Sequence, residues 1–180
     1  MFIIDIVEQC KKHNRKAQLK LYKQYCHGMF AVAMRFLKNE DDAEDMVQEA
    51  FIKAFEKIHQ YQGEVSFGAW LKKIVINKCL DFLKAKKEHL ESLDERYVTV
   101  VEDDDWTVDD DVSIDEIKKA ITFLSDKYKY VLQLFLMEGY DHAEISEILN
   151  ISETACRTRL LRGKGQLKSI LIKENYGARS

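Results

Sequence analysis

The constraint that bears most on the fold is a helical spacing of apolar residues in a chain that contains no proline. Between positions 43 and 58, apolar side chains recur three or four residues apart for four turns, and no strand-like alternation competes with this pattern. The sequence of 180 residues therefore predicts an all-α protein. Similar spacing recurs over residues 16–37, 66–86, 114–139, 141–149 and 152–173.

The same spacing predicts inner faces and helix ends. Asp41 and Asp42 are expected to cap helix 42–58 and to place negative charge at its N-terminus. Gly139 is placed to end helix 114–139, and Gly163 and Gly165 are expected to weaken the last helix and end its outward-facing part early. The predicted apolar face of helix 16–37 consists of Leu19, Tyr22, Cys26, Met29, Phe30, Ala33 and Phe36.

Charge is distributed unevenly along the chain, whose net charge is −3. Residues 88–116 hold thirteen acids and one base, whereas residues 152–173 hold six bases and one acid. The acidic segment lacks helical spacing, which predicts a flexible linker. The chain is therefore interpreted as two small helical domains, 1–87 and 114–176, joined by an acidic linker at 88–113.

The C-terminal part has the pattern of a helix-turn-helix. Asn150 lies in the turn, where a left-handed backbone is common and asparagine tolerates it, and Ser152 is placed to cap the following basic helix. Arginine can bind guanine edges, and Arg, Lys and Thr can hold phosphates, so this helix is interpreted as DNA-recognising. The alternative is a solvated basic helix. The candidate DNA contacts are Thr154, Arg157, Thr158, Arg159, Arg162 and Lys164.

Helix 42–58 has a second, polar face that includes an apolar residue. Asp45, Gln48 and Glu49 surround Ile52 on the side opposite the apolar stripe. An isoleucine among acids and an amide on an outer face indicates a protein contact. The alternative is an ordinary solvated face, and it is favoured when this face is considered alone.

Aromatic and basic residues are clustered after that helix. Tyr61, Phe67 and Trp70 surround the loop at Gly63, beside a polar helix face that carries Lys72, Lys73, Asn77 and Lys78. Aromatic rings next to bases suit unstacked single-stranded DNA. Core packing is the alternative, and it is favoured for Trp70, whereas Tyr61 and Phe67 fit either role.

Several function classes are disfavoured by the sequence. No apolar run is long enough for a membrane span, and the N-terminus lacks the pattern of a signal peptide, so a cytoplasmic protein is expected. Cys10, Cys26, Cys79 and Cys156 are most simply free thiols, with a metal site or a redox switch as the alternative. The acidic run 102–111 fits a calcium loop poorly. No arrangement of residues supports catalysis or a cofactor, so the protein is expected not to be an enzyme.

Two stretches of the chain resemble the extracytoplasmic-function (ECF) sigma factors of bacterial RNA polymerase, members of the sigma-70 superfamily. That family's second region is similar to the stretch DAEDMVQEAFIKAFEKIHQYQGEVSFGAWLKKIVINKCLDFL. Its fourth region is similar to the stretch LSDKYKYVLQLFLMEGYDHAEISEILNISETACRTRLLRGKGQL. Together with the segment between them, the two stretches cover nearly the whole chain in the family's order.

The resemblance implies roles for the candidate residues. Asp45, Gln48 and Glu49 lie where the family binds the coiled-coil clamp of the largest polymerase subunit, and Ile52 extends that face. The basic helix 154–164 lies where the family recognises the minus-thirty-five promoter element. The resemblance also implies an anti-sigma factor as a partner. The loop from Gln62 to Phe67 and the helix through Lys73, Asn77 and Asp81 lie where the family captures the non-template strand of the minus-ten element. The candidate contacts with this strand are Tyr61, Phe67, Lys73, Asn77, Lys78 and Asp81.

The function that follows is that of an alternative sigma factor, which binds core RNA polymerase and promoter DNA. The runner-up is an autonomous helix-turn-helix transcription regulator whose N-terminal half dimerises or senses a signal. Such a regulator would need a two-fold interface and would bind palindromic DNA without polymerase.

Overall fold

The computed structural model describes residues 3–88 and 113–177. The chain divides into two compact units, Met1–Asp94 and Glu95–Ser180, and each has its own buried core. All regular elements in the described ranges are helical, which confirms the all-α prediction. Residues 89–112, which make up most of the predicted acidic linker and include the calcium-like run, lie outside the described residues.

The first unit contains four α-helices within its described part. These are α1 (Ile3–Lys11), α2 (Arg15–Leu37), α3 (Glu40–Glu56) and α4 (Phe67–Glu88), and a 3-10 turn follows α3 at Ile58–Gln60. Helices α2 to α4 match predicted helices. The short α1 was not predicted, because nine residues show too few turns for the spacing to stand out, yet its inner side is buried.

Asparagine side chains begin two of these helices. The Asn39 side chain accepts a hydrogen bond from the Asp42 backbone N–H at 2.8 Å, and Asn14 has the same role in α2. The prediction that Asp41 and Asp42 form the cap of α3 was therefore wrong by about one half-turn. Both aspartates lie in the first turn, where negative charge is favourable at the positive end of the helix dipole.

Helix α3 is the centre of the first unit, because it packs against both α2 and α4. Ala43, Ala50 and Ala54 have no exposed surface, and such small side chains allow neighbouring helices to approach closely. The predicted inner face is confirmed. Its buried residues are Ala43, Met46, Val47, Ala50, Phe51 and Ala54.

The predicted inner face of α2 was wrong near its start. Leu19 is 53% exposed, whereas Leu21 is fully buried. Both leucines fit a helical stripe, and the packing of α1 against α2 decides between them, which the local sequence could not show.

The second unit contains α5 (Ile114–Ile121), α6 (Asp126–Leu132), α7 (His142–Leu149) and α8 (Glu153–Gly177) in its described part. A π-helical turn, Gln133–Met137, extends α6. The single helix predicted over 114–139 was wrong. The backbone N–H groups of Thr122, Phe123 and Leu124 bond to carbonyls three residues earlier, which tightens and ends α5. Both halves face one core, so their apolar spacing looked continuous.

The helix-turn-helix geometry agrees with the prediction in its details. Asn150 has φ 51° and ψ 51°, the left-handed conformation expected in the turn. The Ser152 hydroxyl accepts a hydrogen bond from the Ala155 backbone N–H at 3.1 Å and so caps α8. Gly139, with φ +76°, ends the helical segment before α7.

Gly163 is a packing position and not a helix end. A Cβ atom at this residue would lie 3.1 Å from Leu132 Cδ1 and 3.3 Å from Tyr128 Cβ. Helix α8 continues past both Gly163 and Gly165, whereas its exposed candidate residues end at Arg162. The absence of a side chain at Gly163 lets α8 approach α6 closely.

We expect opposite effects of one substitution at two glycines of the first unit. At Gly28, inside α2, no atom lies within 4 Å of the added methyl position, so Gly28→Ala should raise the free energy of unfolding by about 0.5–1 kcal/mol. At Gly68 the added methyl would lie 2.9 Å from Tyr25 Cε1. Gly68→Ala should therefore lower the free energy of unfolding by about 1 kcal/mol. Urea unfolding in a Trp106→Phe background, followed by the fluorescence of Trp70, measures both. Equal shifts would contradict the packing described.

Candidate nucleic-acid and protein interfaces

The outer face of α3 presents a mixed acidic and apolar surface, called here the docking face: Asp45, Gln48, Glu49 and Ile52. All four side chains are exposed, and Ile52 retains 60% of its surface. They lie opposite the alanine-lined inner face, so the packing of α3 fixes their direction. The structure thus brings the predicted protein-contact residues together on one helix face.

Two ion pairs connect α3 with α4. Lys78 Nζ lies 2.8 Å from Glu49 Oε2, and Lys86 Nζ lies 3.2 Å from Asp42 Oδ2. Exposed pairs of this kind contribute roughly 0.2–1 kcal/mol each. The first pair places a predicted DNA residue, Lys78, against a docking-face residue, which the separate sequence motifs did not predict.

Phe67, at the centre of the aromatic cluster that begins α4, is part of the core. Phe67 is 1% exposed, and its ring centroid lies 5.4–5.6 Å from those of Tyr25, Tyr61 and Trp70. For Phe67 the core alternative is therefore correct, and its ring is not accessible to a base in this conformation. Burial, together with nearby Tyr61, raises the pKa of Tyr25.

Tyr61 is half-buried and holds the loop beside it. Its hydroxyl donates a hydrogen bond of 2.7 Å to the Val65 backbone carbonyl. Residues 62–66 are all exposed, including the apolar Val65. Val65 lies within the loop that the resemblance assigns to the minus-ten element, although it was not named as an individual contact.

Helix α4 presents a polar face to solvent after this loop. Lys73, Asn77 and Asp81 are spaced four residues apart, which places them along one side of the helix. Lys73 and Asn77 are half-buried, and Asp81 is exposed. Lys78 lies on the flank towards α3, where it pairs with Glu49. Three of the candidate minus-ten residues thus form one surface next to the loop.

The basic helix α8 presents most of its candidate residues outward. Thr154, Arg157, Thr158 and Arg162 are exposed, whereas Arg159 is half-buried. Arg157 forms an ion pair with Glu153 at 3.5 Å, and the Thr158 hydroxyl donates to the Thr154 carbonyl at 2.9 Å. Both contacts lie in the first turns of the helix, whose N-terminal residues contact base edges in helix-turn-helix proteins.

Lys164 differs from the other candidates, because it lies against its own unit. Its ammonium is 5.2 Å from the centroid of the Phe135 ring, and the His142 ring stacks on Phe135 with centroids 5.5 Å apart. The half-buried lysine could contact a phosphate only at the edge of the surface formed by the exposed residues.

The four cysteines are free thiols, and three of them are buried. Burial raises the pKa of Cys10 to about 11 and that of Cys79 to about 12. It also raises the pKa of Cys156, whose Sγ lies 3.9 Å from His142 Nδ1. Within residues 3–88 and 113–177, no three His, Cys, Asp or Glu side chains converge as a metal site would require.

In the described part of the chain, no helix has the length and apolar character that a membrane crossing requires.

Two family models match the chain. Sigma-70 region 2 matches residues 21–89, which include the docking face and the polar face of α4. Sigma-70, region 4 matches residues 114–167, which include the helix-turn-helix.

Full-length relatives agree with these matches. The ECF RNA polymerase sigma factor SigW of Bacillus subtilis is 31% identical, with 95% of this chain and 97% of the relative covered. The ECF RNA polymerase sigma-E factor of Escherichia coli is 25% identical, with 88% of each chain covered. The similarity therefore extends over both units.

Solved structures show the same fold. CnrH, in complex with the cytosolic domain of CnrY, has a TM-score of 0.58 at 20% identity and covers 93% of this chain and 96% of its own. The sigma factor RpoE of Bartonella quintana, in complex with the anti-sigma factor NepR, has a TM-score of 0.58 at 21% identity. That match covers 84% of this chain and 94% of RpoE.

Thiol reactivity tests the burial of the cysteines. A raised pKa lowers the thiolate fraction at a given pH, so the buried thiols should react slowly with a disulfide reagent at pH 8. We expect one fast-reacting thiol in the native protein, the half-exposed Cys26, and four after unfolding in guanidinium. The Cys26→Ser variant is the control and should lose the fast phase. Two or more fast thiols in the native protein would contradict the buried placement.

Proposed function

The chain belongs to the extracytoplasmic-function sigma factors, and we propose that it docks on core RNA polymerase through the docking face of α3. It is an alternative sigma factor, which directs transcription initiation. The observation that carries the proposed docking site is the exposed Ile52 among Asp45, Gln48 and Glu49. A desolvated apolar centre with surrounding polar groups is the usual anatomy of a protein interface.

The second part of the proposal concerns the minus-ten element. We assign to the non-template strand both the exposed loop 62–66, which directly precedes α4, and the α4 face formed by Lys73, Asn77 and Asp81. Tyr61 and Phe67 act by positioning this loop, since Tyr61 bonds to its backbone and the buried Phe67 follows it directly and packs against the Tyr61 ring. Lysine, asparagine and an accessible loop backbone suit phosphates and unstacked bases.

We assign recognition of the minus-thirty-five element to α8. The central contacts are Thr154, Arg157, Thr158 and Arg162, and Arg159 and Lys164 lie at the edges. Their exposure on the first turns after the turn residue Asn150 supports this assignment. Each unit is small, and simultaneous placement of both units on polymerase supplies effective concentration at two promoter elements.

The biological setting follows from this mechanism. The protein is proposed to act without catalysis of its own and in the cytoplasm, where core polymerase and promoter DNA are found. The solved relatives named above include a sigma factor bound to an anti-sigma factor. We propose that this chain also has an anti-sigma partner.

The docking assignment predicts a specific loss of polymerase binding. The variant Asp45→Ala/Gln48→Ala/Glu49→Ala should lower affinity for core RNA polymerase at least about tenfold, since interface centres carry most of the binding energy. The matched control is Asp5→Ala/Glu8→Ala/Gln24→Ala, which removes the same residue types from exposed positions of α1 and α2. Titration of labelled protein with core polymerase measures both. Equal loss in the two variants would contradict the docking face.

If the wild-type protein does not bind core polymerase but binds DNA by itself, the docking proposal is contradicted. That result would favour the autonomous regulator instead.

The minus-ten assignment predicts a loss confined to DNA. Lys73→Ala/Asn77→Ala should weaken binding of the assembled holoenzyme to a single-stranded non-template oligonucleotide about tenfold, because a phosphate contact and a base contact are removed. Affinity for core polymerase should be unchanged. The control is Lys23→Ala/Gln24→Ala on the exposed side of α2. An equal loss in the control, or unchanged oligonucleotide binding in the first variant, would refute the assignment.

A further inference from the structure

An ion pair connects the docking face of α3 with Lys78, which lies on α4 beside the proposed minus-ten surface. Lys78 Nζ lies 2.8 Å from Glu49 Oε2, and the two residues are 29 positions apart in the chain. Glu49 belongs to the docking face of α3. Lys78 directly follows Asn77 on the helix assigned to DNA. The contact therefore exists only because α3 and α4 pack together, and it joins a residue for one partner to a residue for the other.

The pair restricts both residues in the free protein. Only 31% of the Lys78 side chain is exposed, and its ammonium is within hydrogen-bond distance of the carboxylate. A DNA phosphate that approaches Lys78 must compete with Glu49 and is also repelled by it. A cationic group that approaches Glu49 must likewise compete with Lys78.

We propose that the Glu49–Lys78 pair couples polymerase docking to DNA binding. A basic surface of polymerase takes Glu49, and the released Lys78 ammonium then contacts a phosphate beside the base held at Asn77. This inference rests on the proposed function and describes regulation of its two sites. Coupling between two ligands is reciprocal, so DNA bound at α4 also favours docking at α3. Because exposed ion pairs are weak, the coupling amounts to about a two- to fivefold change in affinity.

The structure provides a matched control. Lys86 and Asp42 form a second ion pair between the same helices, at 3.2 Å, and neither residue is a proposed contact. Asp42→Asn removes one negative charge and one α3–α4 ion pair, as Glu49→Gln does. A general effect of charge or of helix packing would therefore appear in both variants.

The test is a cycle of full-length variants: Glu49→Gln, Lys78→Met and the double variant, beside Asp42→Asn. Fluorescence anisotropy at low ionic strength measures their affinity for a labelled single-stranded oligonucleotide of mixed sequence. We expect Glu49→Gln to raise the affinity of the free chain about two- to fivefold, with no gain in the Lys78→Met background and none from Asp42→Asn. With saturating core polymerase, the gain should disappear, because Lys78 is already released.

Lys78→Arg keeps a cation beside Glu49 and should behave as wild type, which separates the coupling from damage to the fold. Equal gains from Glu49→Gln in both backgrounds, an equal gain from Asp42→Asn, or no gain at all would overturn the coupling. Those outcomes leave the proposed function intact if wild-type protein still binds core polymerase. Absence of that binding would instead contradict the docking proposal.

Discussion

The close packing of α3 between α2 and α4 is the constraint on which the first unit depends. Three alanines without exposed surface line its inner side and fix the rotation of the helix about its axis. Because that rotation is fixed, Asp45, Gln48, Glu49 and Ile52 face outward together. A larger residue at any of these alanines would move the docking face and the ion pair to Lys78 at the same time.

The charge distribution of the first unit fits the proposal that this unit contacts both polymerase and DNA. The outer face of α3 is acidic, whereas the adjacent α4 carries lysines beside an asparagine. Opposite charges on neighbouring helices attract complementary partners and hold each other in the free state. In the second unit, the missing side chain of Gly163 allows close packing, and the capped turn before α8 presents the recognition helix.

Much of the fold followed from the sequence, because helical spacing reports local burial directly. The stripe on α3, the left-handed Asn150 and the cap at Ser152 all depend on neighbours within a few residues. The break between α5 and α6 was missed, since both helices bury their apolar sides in one core and no glycine or proline separates them. The choice between Leu19 and Leu21 was missed because it depends on α1 packing against α2.

The candidate sites were predictable as surfaces and less so as individual contacts. The docking face appears where the pattern placed it, whereas the burial of Phe67 depends on the ring of Tyr25, which lies on α2 and is distant in the sequence. The Glu49–Lys78 pair joins two separate motifs and had no local signal. The residue type alone suggested a DNA contact for Lys78, and the tertiary structure adds its ion pair with Glu49.

The most direct test of the central claim is reconstituted transcription on fragmented bacterial DNA with core RNA polymerase, with and without this chain. The account predicts new start sites that depend on the chain, share two sequence elements at a constant spacing, and vanish with the Asp45→Ala/Gln48→Ala/Glu49→Ala variant. Start sites that do not change when the chain is added would contradict it, most clearly if the chain alone retained specific DNA fragments.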